Sequence, residues 1–158
     1  MINLSFSIVV FDFIHQNFDL SIFEAMNDVT TQLKLSYGRC ASSPGFFDDF
    51  YQNFFNSSPL IRVRFDKTDM KAQKELLRHG LSHLIMFAGG SRAAEIKVDR
   101  LAESHSKKNL DIQPWMYKNW MKALMVTVKK HDLKYDENVQ NLWESAIEKG
   151  VQKMTSGY

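Results

Sequence analysis

The sequence predicts an all-α fold: a single domain of about seven helices. Along most of the chain, apolar residues recur with the helical period of roughly 3.6 residues. The 158 residues include only 7 glycines and 3 prolines, so long helices are possible and tight turns are few. We find no convincing strand, repeat or low-complexity tract in the sequence. With 44% hydrophobic and 13% aromatic residues, the chain is large enough for one aromatic-rich core.

Residues 1–20 are interpreted as an N-terminal extension ahead of a domain that spans 21–158. The apolar start has no basic segment and is interrupted by Asp12, which argues against a signal peptide. The extension either packs on the domain or reflects an upstream start codon, and the sequence leaves both open. The first helix begins at a capping-box pattern, Ser21 and Glu24. One face of this helix is formed by Met26, Val29, Leu33, Tyr37 and Cys40.

The next three helices are bounded by residues that break or cap a helix. The segment SSPG at 42–45 ends the first helix, and an aromatic helix follows at 46–55. Its predicted inward stripe is Phe47, Phe54 and Phe55, with Tyr51 between them. Ser58 caps a short helix that has Pro59 in its first turn. A long helix is predicted over 69–87, because the apolar period persists until a pair of glycines.

Three more helices complete the prediction. The first covers 92–106, with His105 at its end. The second begins at Pro114 and runs to about residue 131. The last begins near Glu137, and its apolar face is formed by Val139, Leu142, Trp143, Ala146, Ile147, Val151 and Met154.

Charge and cysteine content narrow the classes of protein to consider. The chain has 20 basic and 18 acidic residues, a net charge of +2, which is too balanced for a nucleic-acid-binding surface. The single cysteine, Cys40, cannot form an internal disulfide, which fits a reducing compartment. No apolar segment approaches the length of a membrane span. We therefore expect a cytoplasmic protein that binds neither nucleic acid nor membrane.

Three polar side chains fall on the apolar faces of three different predicted helices: Tyr51, Gln73 and His105. Burying such a group without a partner costs on the order of 1–3 kcal/mol. One such residue is usually a hydrogen-bonded core group, whereas three indicate a shared polar object such as a metal cofactor. One histidine without a cysteine or carboxylate cluster is too little for a structural zinc site, but it is enough for haem.

The order and spacing of these residues are similar to those of the globin family, and the resemblance covers about residues 21–155. The segment FYQNFFNSSPLIRVRF is similar to the end of globin helix B, helix C and the phenylalanine that packs on haem, here Phe65. DMKAQKELL is similar to the start of helix E, and LAESH to the end of helix F. IQPWMY and LWESA resemble the starts of helices G and H. The resemblance implies a globin fold, a three-on-three helical sandwich, with a non-covalent haem b as cofactor.

The same resemblance implies roles for individual residues. His105 takes the position of the proximal iron ligand, and Gln73 takes the distal position 32 residues earlier. Tyr51 falls on the helix-B position that faces the iron. Such a Tyr/Gln pair is similar to that in the globin domain of flavohaemoglobins and in related bacterial single-domain haemoglobins. The other haem contacts that the resemblance implies are Phe65, Leu77, Leu101 and Trp120.

The chain also departs from the flavohaemoglobin pattern. It ends at Tyr158 with no flavin- or nicotinamide-binding domain, so we expect any reductase to be a separate partner. Flavohaemoglobins place a carboxylate late in helix H and couple it to the proximal histidine through a tyrosine. Tyr117 fits that tyrosine, but the carboxylate is not evident and Tyr158 falls near its position.

The expected function is reversible binding of O2, or of another diatomic gas such as NO or CO, for storage, transport or sensing. An enzymatic alternative is nitric oxide dioxygenation, in which O2 and NO give nitrate and an external reductase restores ferrous haem. A third alternative is a haem-free globin-fold signalling domain, which would not require His105. The pair His79 and His83 lacks the glutamate of a His-Glu-x-x-His site, so we expect no metal there.

Overall fold

The computed structural model describes residues 28–158, and seven helices lie within that range. The first, α1, runs from residue 28, where the described range begins, to residue 42. The others are α2 (Phe46–Asn56), α3 (Pro59–Arg64), α4 (Met70–Ala88), α5 (Arg92–His105), α6 (Pro114–His131) and α7 (Glu137–Thr155).

The prediction of an all-α chain with about seven helices is confirmed, since no described residue lies in a strand. The extension at 1–20 and the capping box of Ser21 and Glu24 lie outside the described residues. Within residues 28–158, no helix is both long and apolar enough to cross a membrane.

Local chemistry at the helix starts explains why the predicted boundaries agree with the observed ones. The Asp69 carboxylate accepts hydrogen bonds from the amides of Lys71 and Ala72 at 2.9 and 3.2 Å, which fixes the start of α4. Helix α2 instead follows Gly45, whose φ of 81° is a conformation that glycine adopts without strain. The remaining side-chain caps are Ser58 for α3, Ser91 for α5 and Asp136 for α7.

The helices enclose one core. Helix α2 packs mainly on α6, and α4 packs on α5, while α7 lies against α4, α5 and α6. The largest fully buried side chain is that of Trp143 in α7, and Phe50, Leu81 and Leu124 contribute to the same cluster from α2, α4 and α6. This arrangement brings the last turn of α5 and the first turns of α4 to the edge of a single apolar core.

The buried face of α2 is wider than the sequence analysis indicated. We expected Phe47, Phe54 and Phe55 to form the inward stripe around Tyr51, but Phe50 is completely buried and Phe55 is only half-buried. Positions 47, 50, 51 and 54 follow the i, i+3, i+4, i+7 spacing of one helical face, which explains the difference. Because nearly every residue of this helix is aromatic or polar, the pattern alone did not distinguish Phe50 from Phe55.

Candidate functional site

His105 is the last residue of α5, and its ring is oriented by that helix. Its Nδ1 atom lies 2.8 Å from the carbonyl oxygen of Leu101, one turn earlier. Because a carbonyl can only accept, Nδ1 carries the proton and donates it. The lone pair is therefore on Nε2, and no hydrogen bond to that atom is found among the described residues. A nitrogen in this state can bind a metal.

Ser104 reinforces the same tautomer. Its hydroxyl donates to the Leu101 carbonyl at 2.8 Å, which leaves an oxygen lone pair for the Nδ1 proton of His105 at 3.1 Å. The imidazole is thus held by two acceptors on its own helix. Such outer hydrogen bonds set the orientation of a metal-binding histidine and increase its basicity as a ligand.

Burial keeps His105 uncharged. Desolvation lowers the pKa of the imidazole, and the hydrogen bond to Leu101 only partly opposes this effect. The ring of Tyr117 lies beside it, with 6.4 Å between the ring centroids. Burial also raises the pKa of Tyr117 to about 12, so neither ring is charged at neutral pH. Neutral imidazole is the form of histidine that binds metal ions.

The loop after α5 folds back on the helix end. The amides of Leu110 and Ile112 donate to the carbonyl oxygens of Ser104 and His105 at 3.1 and 3.0 Å. Asp111, between them, has a φ of 49°, which aspartate tolerates better than most residues. These bonds satisfy two of the helix-terminal carbonyls and fix the loop against His105.

Tyr51 and Gln73 form the second part of the site. Tyr51 is 4% exposed, and its hydroxyl donates to the backbone oxygen of Gln73 in the first turn of α4 at 3.3 Å. Burial raises the pKa of Tyr51 to about 12. The phenol is therefore protonated at neutral pH and is available as a hydrogen-bond donor.

Aromatic rings surround Tyr51. Phe65, which follows α3, packs against the rings of Tyr51 and Phe55, with centroids 5.9 and 5.2 Å away. On the α6 side, Trp120 meets Phe50 edge-on at 5.9 Å. Phe65 and Trp120 are both only partly buried, so each ring keeps an accessible surface.

The predicted site residues fall into two groups. In the first group, Tyr51 contacts both Gln73 in α4 and Phe65 after α3. His105 and Leu101 form a separate group on α5, and no hydrogen bond or ring contact within residues 28–158 joins the two groups. Both groups border the same apolar core, to which Leu77, Leu101 and Trp120 also belong.

The described residues contain no group of three or more His, Cys, Asp or Glu side chains that could hold a metal ion. At His83, Nδ1 lies 2.6 Å from the carbonyl oxygen of His79, so this nitrogen donates to the backbone and is not free for a metal. One neutral imidazole beside an aromatic core fits a cofactor that brings its remaining ligands itself. Haem is such a cofactor, since the porphyrin supplies four nitrogen ligands.

Tyr158 does not reproduce the missing carboxylate of the flavohaemoglobin pattern. Its hydroxyl donates to the carboxylate of Asp111 at 2.7 Å, in the loop after His105. The Tyr117 hydroxyl has no hydrogen-bond partner within the described part of the chain. The hydrogen-bond acceptors of the His105 ring are the Leu101 carbonyl and the Ser104 hydroxyl, and both are neutral.

One buried polar cluster escaped the sequence analysis. The side chain of Asp132 accepts hydrogen bonds from Ser36 at 2.5 Å and from Arg39 at 2.5 and 2.8 Å, and the Trp143 indole donates to Ser36 at 2.8 Å. Burial alone would raise the pKa of Asp132, but these hydrogen bonds, with one from the Lys134 amide, hold it below its usual range. The cluster joins α1 to α7 and to the turn between α6 and α7. Its partners are 93 to 107 residues apart, so no local pattern could reveal it.

A second cluster fixes α2 against the end of α6. Asp49 accepts from Lys130 and from Nε2 of His131, both at 2.6 Å, while Nδ1 of His131 lies 2.7 Å from the Ser43 hydroxyl. The hydrogen bonds from Lys130 and His131 lower the pKa of Asp49. This cluster positions α2, and therefore the Tyr51 that α2 carries.

Comparison with known proteins identifies one close relative of known structure. No protein-family model matches the chain, and a search of curated proteins found no match. The crystal structure of a Pseudomonas aeruginosa protein that is structurally highly homologous to a human hemoglobin superimposes on this chain with a TM-score of 0.79. The two sequences are 42% identical, and the alignment covers 82% of this chain and 98% of the other.

Proposed function

Because this chain belongs to the globin family, we propose that it binds haem b through His105 and reversibly binds O2. The observation that carries the proposal is the last turn of α5. There the Leu101 carbonyl and the Ser104 hydroxyl hold the proton on Nδ1 and leave the Nε2 lone pair free. When bound, haem supplies an iron centre whose sixth position accepts a diatomic gas. The side chains that would surround the porphyrin are those of Phe65, Leu77, Leu101 and Trp120.

Tyr51 and Gln73 are proposed to act on the gas ligand. The Tyr51 hydroxyl is protonated and buried, and its present acceptor is a backbone oxygen at a distance of 3.3 Å, which is a weak bond that it can exchange for a better acceptor. The Gln73 backbone oxygen is that acceptor, and we propose that the Gln73 side-chain amide donates to the ligand or holds Tyr51 in place. The Tyr51 and Gln73 pair supports the assignment of this chain to the bacterial single-domain haemoglobins that are similar to the globin domain of flavohaemoglobins.

Nitric oxide dioxygenation with an external reductase is a second candidate function. The buried hydrogen-bond donor Tyr51 favours it, because a ligand that is held longer has more time to react with NO.

We further propose that the globin domain spans residues 21–158. Cys40 is completely buried and burial raises its pKa to about 12, which fits an unreactive thiol in the cytoplasm.

The proposal is tested by the rate of O2 dissociation from the ferrous protein, measured by stopped flow. A hydrogen bond to a charged acceptor contributes about 1.5–3 kcal/mol. Since about 1.4 kcal/mol is a factor of ten, Tyr51→Phe should release O2 roughly 10- to 100-fold faster. Gln73→Leu should increase the O2 dissociation rate by a smaller factor than Tyr51→Phe. The increase in the double variant should be less than the product of the two single factors, because both residues are proposed to act in one hydrogen-bond network.

Release of CO is the internal control. Bound CO is much less polar than bound O2, so its dissociation should change far less in Tyr51→Phe. Equal changes for the two gases would indicate a general loss of packing. An unchanged O2 rate would show that Tyr51 does not stabilise the ligand, and the distal part of the proposal would fail.

A further inference from the structure

Arg64 joins two segments that flank the site. Its Nη1 atom donates to the backbone oxygen of Leu110 at 2.9 Å, and its Nη2 atom lies 4.0 Å from the Asp111 carboxylate. The end of α3 therefore lies against the loop that follows α5. The same loop contacts the proximal residue, because the Ile112 amide donates to the His105 carbonyl at 3.0 Å.

Exposed apolar side chains lie on both segments. Leu60 and Val63 share one side of α3 with Arg64 and are 68% and 64% exposed, and Leu110 in the loop is 56% exposed. Neighbouring aliphatic groups in water commonly mark a contact site for another molecule. The α3–loop face is defined by Leu60, Val63, Arg64 and the loop residues 107–110.

The two segments that carry these apolar groups have an excess of positive charge. The segments 59–68 and 100–112 contain six lysine and arginine residues against three carboxylates, an excess larger than the net charge of +2 of the whole chain. Within the described residues only Arg64 among the six forms an ion pair, and Arg62 donates to the Asn56 side chain at 3.2 Å. The four other cations form no ion pair there that would compete with a partner. The six cations are Arg62, Arg64, Lys67, Arg100, Lys107 and Lys108.

We propose that the α3–loop face docks a small acidic electron-carrier protein that reduces the haem iron. This inference rests on the proposed haem-binding function. In the step that docking serves, one electron passes from the reduced carrier to ferric iron, which becomes ferrous, and no covalent bond forms or breaks. An apolar centre with a cationic rim fits such a partner, since redox encounters use small interfaces that are steered by complementary charge.

The position of the face favours an electron carrier over other anionic partners. A redox partner must approach its target closely, and here the surface loop is hydrogen-bonded to the backbone of His105. Leu110 is both exposed to solvent and bonded through its amide to Ser104, the residue that supports the imidazole. A carrier seated on this loop is therefore separated from His105 by a single layer of chain.

The test measures binding of oxidised flavodoxin and of an oxidised plant-type ferredoxin, both acidic, to the ferric haem-loaded protein by surface plasmon resonance. We expect Lys107→Glu with Lys108→Glu to weaken binding by about tenfold or more at low salt, because two attractive charges become repulsive. The matched control is Lys34→Glu with Lys134→Glu, which changes the net charge equally on α1 and the α6–α7 turn. Its effect should be several times smaller.

Two further measurements complete the test. Binding of the unmodified protein should weaken as salt rises from about 0.02 to 0.3 M, where exposed charges are screened. Leu110→Ser should weaken binding with its salt dependence unchanged, because it alters the apolar centre and no charge. Circular dichroism of each variant checks that the helical fold is retained.

Several outcomes would overturn the inference. One is failure of both carriers to bind, and a second is an equal loss of binding in the two charge-reversal pairs. A third is binding of phosphatidylglycerol vesicles or duplex DNA that is as strong as carrier binding and is weakened as much by Lys107→Glu with Lys108→Glu. Failure of the proposed function is recognised separately, since the absorption spectrum shows before any binding experiment whether haem is taken up. Carrier binding to the haem-free protein can also be measured, so the surface is tested even in that case.

Discussion

At the scale of single residues, the proposed function depends on how the surroundings of His105 set its tautomer and its charge. A histidine on an apolar helix face has two possible tautomers and a charge that depends on pH, and neither can be read from the sequence. The Leu101 carbonyl and the Ser104 hydroxyl decide the tautomer, and burial decides the charge. Sequence reasoning could identify the residue by its position, but the free Nε2 atom follows only from these contacts.

The lowered pKa of His105 predicts how stability changes with pH. The unfolded chain takes up a proton near the ordinary histidine pKa of about 6.5, whereas the half-buried imidazole of the folded protein resists protonation to lower pH. The stability that this group contributes is therefore fully present above about pH 6.5 and is lost as pH falls through its folded pKa. Urea unfolding of the haem-free protein between about pH 7.5 and 5 should show this loss.

His105→Leu provides the comparison for that experiment. The other histidines are common to both proteins, so the difference between the two pH profiles isolates this position. We expect a flatter profile for the variant. Parallel profiles would mean that the His105 pKa is the same in the folded and unfolded states.

At the scale of helices, local signals determined where each element begins, but distant contacts determined how the elements meet. The caps Asp69 and Ser58 are recognisable in the sequence because they act within three residues. By contrast, the Asp132 cluster joins α1 to α7 across about a hundred residues, and its partners have no local signature. The face of α2 was predicted only in part, since Phe50 and Phe55 are chemically identical and only packing separates them.

The crossing of α4 and α7 requires a glycine at position 150. A Cβ atom added at Gly150 would overlap with the side chain of Leu84, which is almost completely buried in α4. Gly150→Ala should therefore lower the free energy of unfolding, by about 1–3 kcal/mol as is typical of overpacking. Urea denaturation of the haem-free protein measures the change.

Gly80→Ala is the matched control, because Gly80 lies inside α4 and a Cβ there would meet nothing within 4 Å. Helix propensity alone predicts that this change stabilises the protein by up to about 1 kcal/mol. If both alanine variants were stabilised equally, the proposed close contact between α4 and α7 would be wrong.

At the scale of the whole molecule, the predicted globin fold is confirmed by the relative that is 42% identical and superimposes with a TM-score of 0.79. Helical periodicity predicted the all-α class, and the resemblance to the globin family implied the globin fold. The residues that carry this resemblance are Pro59, Phe65, Gln73, His105, Pro114 and Trp143. The physiological role could not be predicted in the same way, because the proposed effect of Tyr51 on a bound gas depends on hydrogen-bond geometry that the sequence does not specify. The α3–loop face could not be predicted from the sequence either, because it combines segments that are about 40 residues apart.

The enzymatic alternative leads to a prediction for the molecule as a whole. The sequence has no glycine-rich dinucleotide-binding loop after a predicted strand, so this chain should not oxidise a nicotinamide donor by itself. Under air, the haem-loaded protein with NADH alone should consume NO for about one turnover, whereas an added reductase and carrier should sustain consumption. An NO electrode measures both rates. Sustained turnover with NADH alone would contradict the prediction.

The central claim, that His105 binds haem iron through Nε2, is tested most directly by titrating the haem-free protein with haemin. The wild type should bind one equivalent, with the absorption spectrum of a histidine-ligated globin. His105→Gly should bind haemin weakly with an altered spectrum, and added imidazole should restore the wild-type spectrum by occupying the vacated space. If His105→Gly binds haemin as tightly as the wild type with the same spectrum and no response to imidazole, the assignment of His105 is wrong.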